Sequence, residues 1–341
     1  MISHSVDAPP LPLLITGVAG VAGYNAVDYF RRRYPGQVIA LRQRDNWRLV
    51  GDGIVVCNAE DRDGLARLFA EHRFRSVLDC AGNCALKSCQ LDPAMAWRIN
   101  VAGVGNLVDV AEQYDARLVH LSVDLVYSGL GNGGHVETDP TDPVTVYGET
   151  MVAAEELILE RMPAACILRI SLPMGISFNG HAGAIDWIGS RFKKGKPATL
   201  YFDEIRTPSY TDCMNMLCEV ALASQLAGLY HAGGQRRLSL FEIAQIVNRV
   251  GGYDPHLLHG CNRIEAGPVP PRAGNVSLDS SKLAAALGYD PLDAWPFDRR
   301  YVPTHRRWHF ERPADEPGSA ELLASILYRN PRRHAARLAA V

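Results

Sequence analysis

The chain has 341 residues, 47% hydrophobic and 21% charged, with a formal net charge of -2. That is enough to bury a full core, as one large α/β domain or two unequal parts, and the composition is that of an ordinary soluble globular protein. The near-neutral balance gives no electrostatic basis for nucleic-acid or anionic-membrane partners, and no apolar run is long enough to span a bilayer.

In chain order, Met1–Pro12 lacks a basic stretch followed by an apolar one, so no signal peptide is expected and the cytoplasm is the expected location. The apolar strand Leu13–Thr16 then runs into Gly17, Gly20 and Gly23, and on into the amphipathic run Tyr24–Tyr34. A glycine trio alone marks only a turn. Between a strand and a helix it predicts a dinucleotide pyrophosphate site. Gly17 allows the sharp turn, Gly20 lets the backbone approach the phosphates, and Gly23 lets helix and strand pack closely. Val21 and Ala22 then open a helix whose free N–H groups and positive dipole end face the anion.

Further strands are predicted at Gln37–Leu41, Gly53–Val56, Ser76–Cys80, Arg117–Ser122 and Ala165–Ile170. Helical patterns lie between them at Arg62–His72, Pro93–Tyr114 and Tyr147–Arg161. The alternation predicts a Rossmann-type, doubly wound parallel sheet over residues 1–170, with ligands at the carboxyl ends of its strands. From Ser171 the rhythm loosens into Gly- and Pro-rich loops at Pro173–Gly183 and Ala266–Gly274. Helices are expected at Ala184–Phe192, Asp212–Leu226, Ser239–Val250 and Ser280–Leu287. Residues 171–298 read as a smaller substrate lobe, interleaved in sequence with the core.

Residues 299–341 form a basic extension, with nine Arg against four Asp and Glu. Glu321–Tyr328 and Arg332–Val341 are candidate short helices there, either an arm for a subunit partner or a solvated surface. The eight cysteines read as free thiols of a reducing compartment. Cys80, Cys84 and Cys89 cluster without the spacing of a metal knuckle, so no metal site is expected.

Four motifs form an ordered set: Gly17-x-x-Gly20-x-x-Gly23, Arg98-Ile99-Asn100-Val101-x-Gly103, Ser122-Val123-Asp124-Leu125-Val126-Tyr127 and Tyr147-Gly148-Glu149. The set resembles the extended short-chain dehydrogenase/reductase family, most closely its dTDP-4-dehydrorhamnose reductase branch. Arg206-Thr207-Pro208-Ser209-Tyr210, Pro271-Arg272-Ala273-Gly274-Asn275 and Asp279-Ser280-Ser281-Lys282-Leu283 extend the likeness, which covers roughly Leu13 to Leu292. The resemblance implies reduction of a keto group on a nucleotide-diphosphate sugar by a nicotinamide cofactor, in a homodimer.

It also implies roles. Tyr147 donates the proton, Ser122 and Asp124 shape the pocket, and Ala81, Gly82 and Asn100 join the cofactor contacts. Arg206 and Arg272 match diphosphate-binding positions, although both suit structural ion pairs equally well. Arg42, with Arg44 beyond it, stands where an acidic residue would accept the ribose of NAD, so NADP is expected as cofactor. Asp45 is the competing acidic residue, set further into the loop.

Two family residues are missing. Met151 stands where a Lys lowers the tyrosine pKa and holds the ribose, and Val123 stands where the branch has a catalytic Thr. Met carries neither charge nor donor. Lys87, expected on the loop after the fourth strand, is a conceivable stand-in, with a plain surface lysine the simpler reading. His181 is a conceivable sugar contact, with a solvated loop residue the simpler reading. The rival function is therefore a non-redox nucleotide-binding regulatory or partner-binding protein, as the regulatory subunit of methionine adenosyltransferase resembles the same branch. A third is non-redox chemistry on a related substrate, with Tyr147 as acid or base.

Overall fold

The structure is a computed structural model describing residues 8–180 and 183–333. Its centre is a sheet of seven parallel strands: β1 (Leu13–Ile15), β2 (Val38–Arg42), β3 (Ile54–Val56), β4 (Ser76–Asp79), β5 (Arg117–Val123), β6 (Cys166–Ile170) and a late strand, Gly228–Ala232. The spatial order is β3-β2-β1-β4-β5-β6 followed by the late strand, the doubly wound Rossmann order plus one. The register pairs Leu13 with Val38 on one side and with Ser76 on the other. β1 and β4 are buried throughout, as expected for parallel strands covered on both faces.

Helices α1 (Val21–Arg33), α2 (Arg62–His72), α3 (Leu86–Leu91), α4 (Pro93–Trp97), α5 (Gly103–Gln113) and α6 (Val146–Arg161) make the first-half crossovers. The predicted helix Pro93–Tyr114 is interrupted by a π-turn at Arg98–Ala102, with Asn100 at its centre. Lys87 sits on α3, a short helix that its sequence does not announce.

The second half adds three two-stranded pairs that the sequence pattern does not reveal, because strands of two to four residues carry no readable alternation. They are built from β7 (Pro173–Met174), β8 (Ala198–Tyr201), β9 (Ile205–Arg206), β10 (Ser209–Tyr210), β12 (Leu238–Ser239) and β13 (Leu258–Cys261), while β11 is the late strand of the main sheet, Gly228–Ala232. The pairs are β7 with β10, β9 with β12 and β8 with β13. Helices α7 (Ala184–Lys193), α8 (Thr211–Ala223), α9 (Leu240–Val250) and α10 (Ser281–Leu287) fall close to their predicted spans. α9 starts on a capping box, Ser239 and Glu242 each satisfying the other's backbone N–H, an arrangement that stabilises a helix by about 1 kcal/mol.

The basic extension packs on its own chain. Helix α11 (Ala320–Tyr328) buries Leu323, Ile326 and Leu327 in the core that also holds α8 and α9. Trp295 Nε1 donates to the Leu327 carbonyl at 3.2 Å, and Arg332 pairs with Asp293 at 2.9 Å. Among the described residues it is therefore not a merely solvated surface. Most of the second helix expected there, from residue 334 onward, lies outside the described residues, as does His181.

Candidate active-site cleft

The chain from β1 to α1 turns at Gly17, where φ is +62° and a Cβ would lie 2.0 Å from the Cys80 carbonyl oxygen. A Cβ at Gly23 would lie 2.4 Å from the Gly17 oxygen, so α1 sits directly on the turn. Gly17→Ala is expected to cost about 2–5 kcal/mol from the left-handed backbone and the overlap together; thermal melting of the variant beside the parent checks it. No side chain caps α1 and no acidic residue occupies its first turn. Its leading N–H groups are thus available to an anion.

Beneath this turn lies a buried polar cluster that the sequence reading missed. Thr16 Oγ1 donates to Asp79 at 2.5 Å, and His120 Nδ1 lies 2.7 Å from the other Asp79 oxygen. Burial works to raise the Asp79 carboxyl, but the bonds from His120 and Thr16 hold it below its ordinary value. The cluster ties together the ends of β1, β4 and β5. The readable signal was a polar residue in each of three apolar strands.

The turn opens into a cleft of 410 Å³ at the carboxyl ends of the strands. Gly17, Gly20, Val21 and Ala22 line one end, Arg42 and Ala81–Gly82 flank it, and Ser122, Val123, Asp124, Tyr147 and Met151 line the other. Among the described residues Arg42 donates only to its own loop, to the Gln43 carbonyl at 3.1 Å and the Arg44 carbonyl at 3.4 Å. Arg44 is not part of the lining, and its guanidinium lies 3.6 Å from Asp61. Asn100 also stands behind the wall: its oxygen accepts from the Asn83 N–H at 2.7 Å and its amide donates to Thr150 at 2.9 Å. It thereby fixes the loop carrying Ala81 and Gly82 to the helix carrying Tyr147.

Tyr147 is buried in the first turn of α6, behind the N-cap Thr145. Burial, and after it the neighbouring Cys84 and Asp124, push its phenol well above the ordinary value. One turn on, Met151 is buried against it in the same apolar cluster. Among the described residues no lysine lines the cleft, and Lys87 is exposed on α3 outside the lining.

Ser122 touches the cleft, but its hydroxyl donates to Glu155 of α6. Glu155 is held by Arg169 of β6 through two bonds, one at 2.6 Å and one at 2.9 Å, and Arg169 donates on to Tyr127 at 2.6 Å. This buried chain clamps α6 to the sheet. It uses the Ser122 hydroxyl for positioning, while Val123, on the next residue of the strand, shows the cleft an apolar side chain.

The far end of the cleft is an ionic lattice. Asp124 is fully buried and accepts from Ser171 Oγ at 2.5 Å and Arg206 Nε at 2.7 Å, with a second bond from the Arg206 fork. Arg206 lies 3.5 Å from Glu204, and Glu204 lies 3.0 Å from Arg272. Arg272 also stacks over the Tyr201 ring at 4.6 Å. Burial pushes the Glu204 carboxyl up, against the pull of both arginines. The two predicted phosphate-binding arginines are thus already engaged by two carboxylates, and the sequence reading did not single out Glu204.

Comparison with known proteins agrees with this architecture. A family model described as the RmlD substrate binding domain matches residues 11–297. A dTDP-4-dehydrorhamnose reductase of Mycolicibacterium smegmatis is 26% identical over 295 residues, 85% of this chain and 84% of that protein. The methionine adenosyltransferase 2 subunit beta of Rattus norvegicus is 24% identical over 297 residues, 83% of this chain and 84% of that protein. In structure, a dTDP-4-dehydrorhamnose reductase of Bacillus anthracis in complex with NADP superposes with a TM-score of 0.70 at 18% identity, over 83% of this chain and 94% of that one. With a match that spans the sheet, the cleft and the ionic lattice, the chain belongs to the RmlD substrate-binding-domain family, within the sugar-nucleotide reductase superfamily.

Proposed function

We propose that the chain binds NADP in this cleft and reduces a keto group on a nucleotide-diphosphate sugar, with Tyr147 as an unassisted proton donor. The observation that carries the reading is one continuous cleft, joining the glycine turn and Arg42 at one end to Tyr147 at the other. The fit of the cofactor rests on the bare helix N-terminus and on a cradle that a Cβ at Gly17 would fill. Gly17, Gly20, Val21, Ala22 and Gly23 would hold the pyrophosphate, Ala81 and Gly82 would line the far wall, and Arg42 would meet the 2′-phosphate. When bound, NADPH supplies the hydride. Tyr147 holds the proton at its phenol oxygen, and Asp124 keeps Arg206 fixed beside it. Removing the Arg42 guanidinium, as Arg42→Ser, is expected to weaken NADP binding about 10–100-fold and leave NAD binding unchanged, because a charge-assisted contact to the 2′-phosphate is lost. Calorimetric titration with both cofactors checks it.

A second reading is favoured by Met151. Its burial against Tyr147 replaces the group that would lower the phenol pKa, which fits a protein that keeps the nucleotide pocket and serves as a binding or regulatory subunit. Similarity to the methionine adenosyltransferase subunit supports the same reading. One experiment separates the two: NADPH oxidation with a panel of keto-sugar nucleotides, beside Tyr147→Phe. Turnover that Tyr147→Phe abolishes supports the reductase. NADP binding without turnover on any of the panel overturns it in favour of the binding protein, and no dinucleotide binding overturns both.

A further inference from the structure

A second cavity, of 340 Å³, lies outside the cleft, where the lobe that follows the sheet meets the basic extension. Its volume falls within the roughly 300–1,000 Å³ range of small-molecule sites. The wall includes Thr304, His305 and Arg306, beyond residue 297 where the family match ends. We propose that it binds a small phosphorylated molecule with a planar ring, of the mononucleotide class, independently of the cofactor cleft.

The charge argument comes first. Arg237 and Arg306 line the cavity, and among the described residues neither has a carboxylate within ion-pair distance. Arg237 makes only a long contact to the Asn132 carbonyl, at 3.5 Å. Arg306 lies over the Phe202 ring at 3.9 Å. Glu242 is the one carboxylate on the lining, and it is held in the capping box by the N–H of Ser239 at 2.7 Å and its hydroxyl at 3.0 Å. His305 also lines it and lies 3.1 Å from Glu311. Two guanidinium groups over a cavity, neither of them in an ion pair among the described residues and with the Glu242 carboxylate turned to the N-terminus of α9, attract a doubly charged phosphate, which their planar forks match in geometry.

The floor supplies the second half of the ligand. Phe202 and Phe241 meet edge to face, with ring centroids 4.7 Å apart. Arg306 already covers the Phe202 ring, so a planar ring would lie on the outer face of that guanidinium and gain stacking and cation–π contact there. Ser239, Gln245 and Asn275 add polar atoms at the wall.

The cavity is separated from the cleft by one thickness of backbone. β9 pairs antiparallel with β12, Ser239 opposite Ile205 and Leu238 opposite Arg206, and Ile205 also bridges Asn275. Because successive side chains alternate across a strand, Ile205 faces the second cavity while Glu204 and Arg206 face the cleft. The same strand thus serves two sites.

Calorimetric titration of the full chain with uridine monophosphate, ribose 5-phosphate and inorganic phosphate, each with and without NADPH, tests the proposal. The expected result is that the mononucleotide binds, more tightly than ribose 5-phosphate, and that NADPH does not displace it. Arg306→Ser, on the exposed extension, and Arg237→Ser should each weaken it about tenfold or more with melting temperatures unchanged. Displacement by NADPH would place the ligand in the cofactor cleft and overturn the proposal. So would the absence of mononucleotide binding, or affinity unmoved by either variant. Equal affinity for ribose 5-phosphate would overturn the ring-binding part.

Discussion

Met151→Lys combined with Val123→Thr is expected to raise keto-sugar nucleotide reduction on the order of 10²–10³-fold, the usual worth of a preorganised electrostatic donor. Met151 lines the cleft one helical turn from Tyr147, so an ammonium there shares its face of α6. The pH profile carries a second signature. Tyr147 must be protonated to donate, and its pKa now stands well above the ordinary value because the phenol is buried. The present chain should therefore show no basic limb through the neutral and mildly alkaline range. The introduced ammonium lowers the phenol pKa, so a decline should move in from the alkaline side. The two effects need not add, because residues acting as a unit are coupled. Steady-state kinetics across pH checks both, and a folded double variant that binds NADP without gaining turnover would sink the assignment of Tyr147 as proton donor.

Arg206→Met should destabilise the fold by about 3–5 kcal/mol, the cost of breaking a buried ion pair from one side. The variant leaves Asp124, fully buried, and Glu204 without the guanidinium between them. The deficit should shrink as the pH falls, since protonation removes the uncompensated charge. The double variant Asp124→Asn/Arg206→Met should recover part of the loss. Urea unfolding of the three variants checks the series, and a single variant as stable as the parent would show that Arg206 is not held by Asp124. A milder change, Glu204→Gln, releases Arg272 from its partner and is expected to tighten nucleotide-diphosphate binding several-fold, measured by calorimetry.

These two results bear on different parts of one site. At the glycine end the wall is mostly backbone, with Arg42 the charged side chain beside it. At the substrate end the charges are already paired: Asp124 with Arg206, Glu204 with Arg206 and Arg272. An incoming diphosphate would have to compete with Glu204 for Arg272, whose side chain is mostly buried.

The sequence by itself determined the glycine turn, the parallel sheet, and the placing of Tyr147 with Met151 one helical turn on. Each depends on residues at fixed local offsets, such as the spacing from Gly17 to Gly23 or the single turn from Tyr147 to Met151, and local geometry fixes what such offsets mean. The tertiary structure alone decided how the remaining polar groups are used. Arg206 was legible as a cation, but its partner Asp124 lies 82 residues away. Ser122 was legible as a hydroxyl beside the site, yet its bond to Glu155 crosses 33 residues and turns it to the helix. Asn100 was legible as a cofactor contact, and the π-turn sets it behind the wall. The basic extension was legible as charge and as the short helix at Glu321–Tyr328, while the burial of Leu323, Ile326 and Leu327 depends on residues of distant helices that share their core. A buried polar group must find a partner wherever the fold brings one, and that choice is made by the packing of the whole chain.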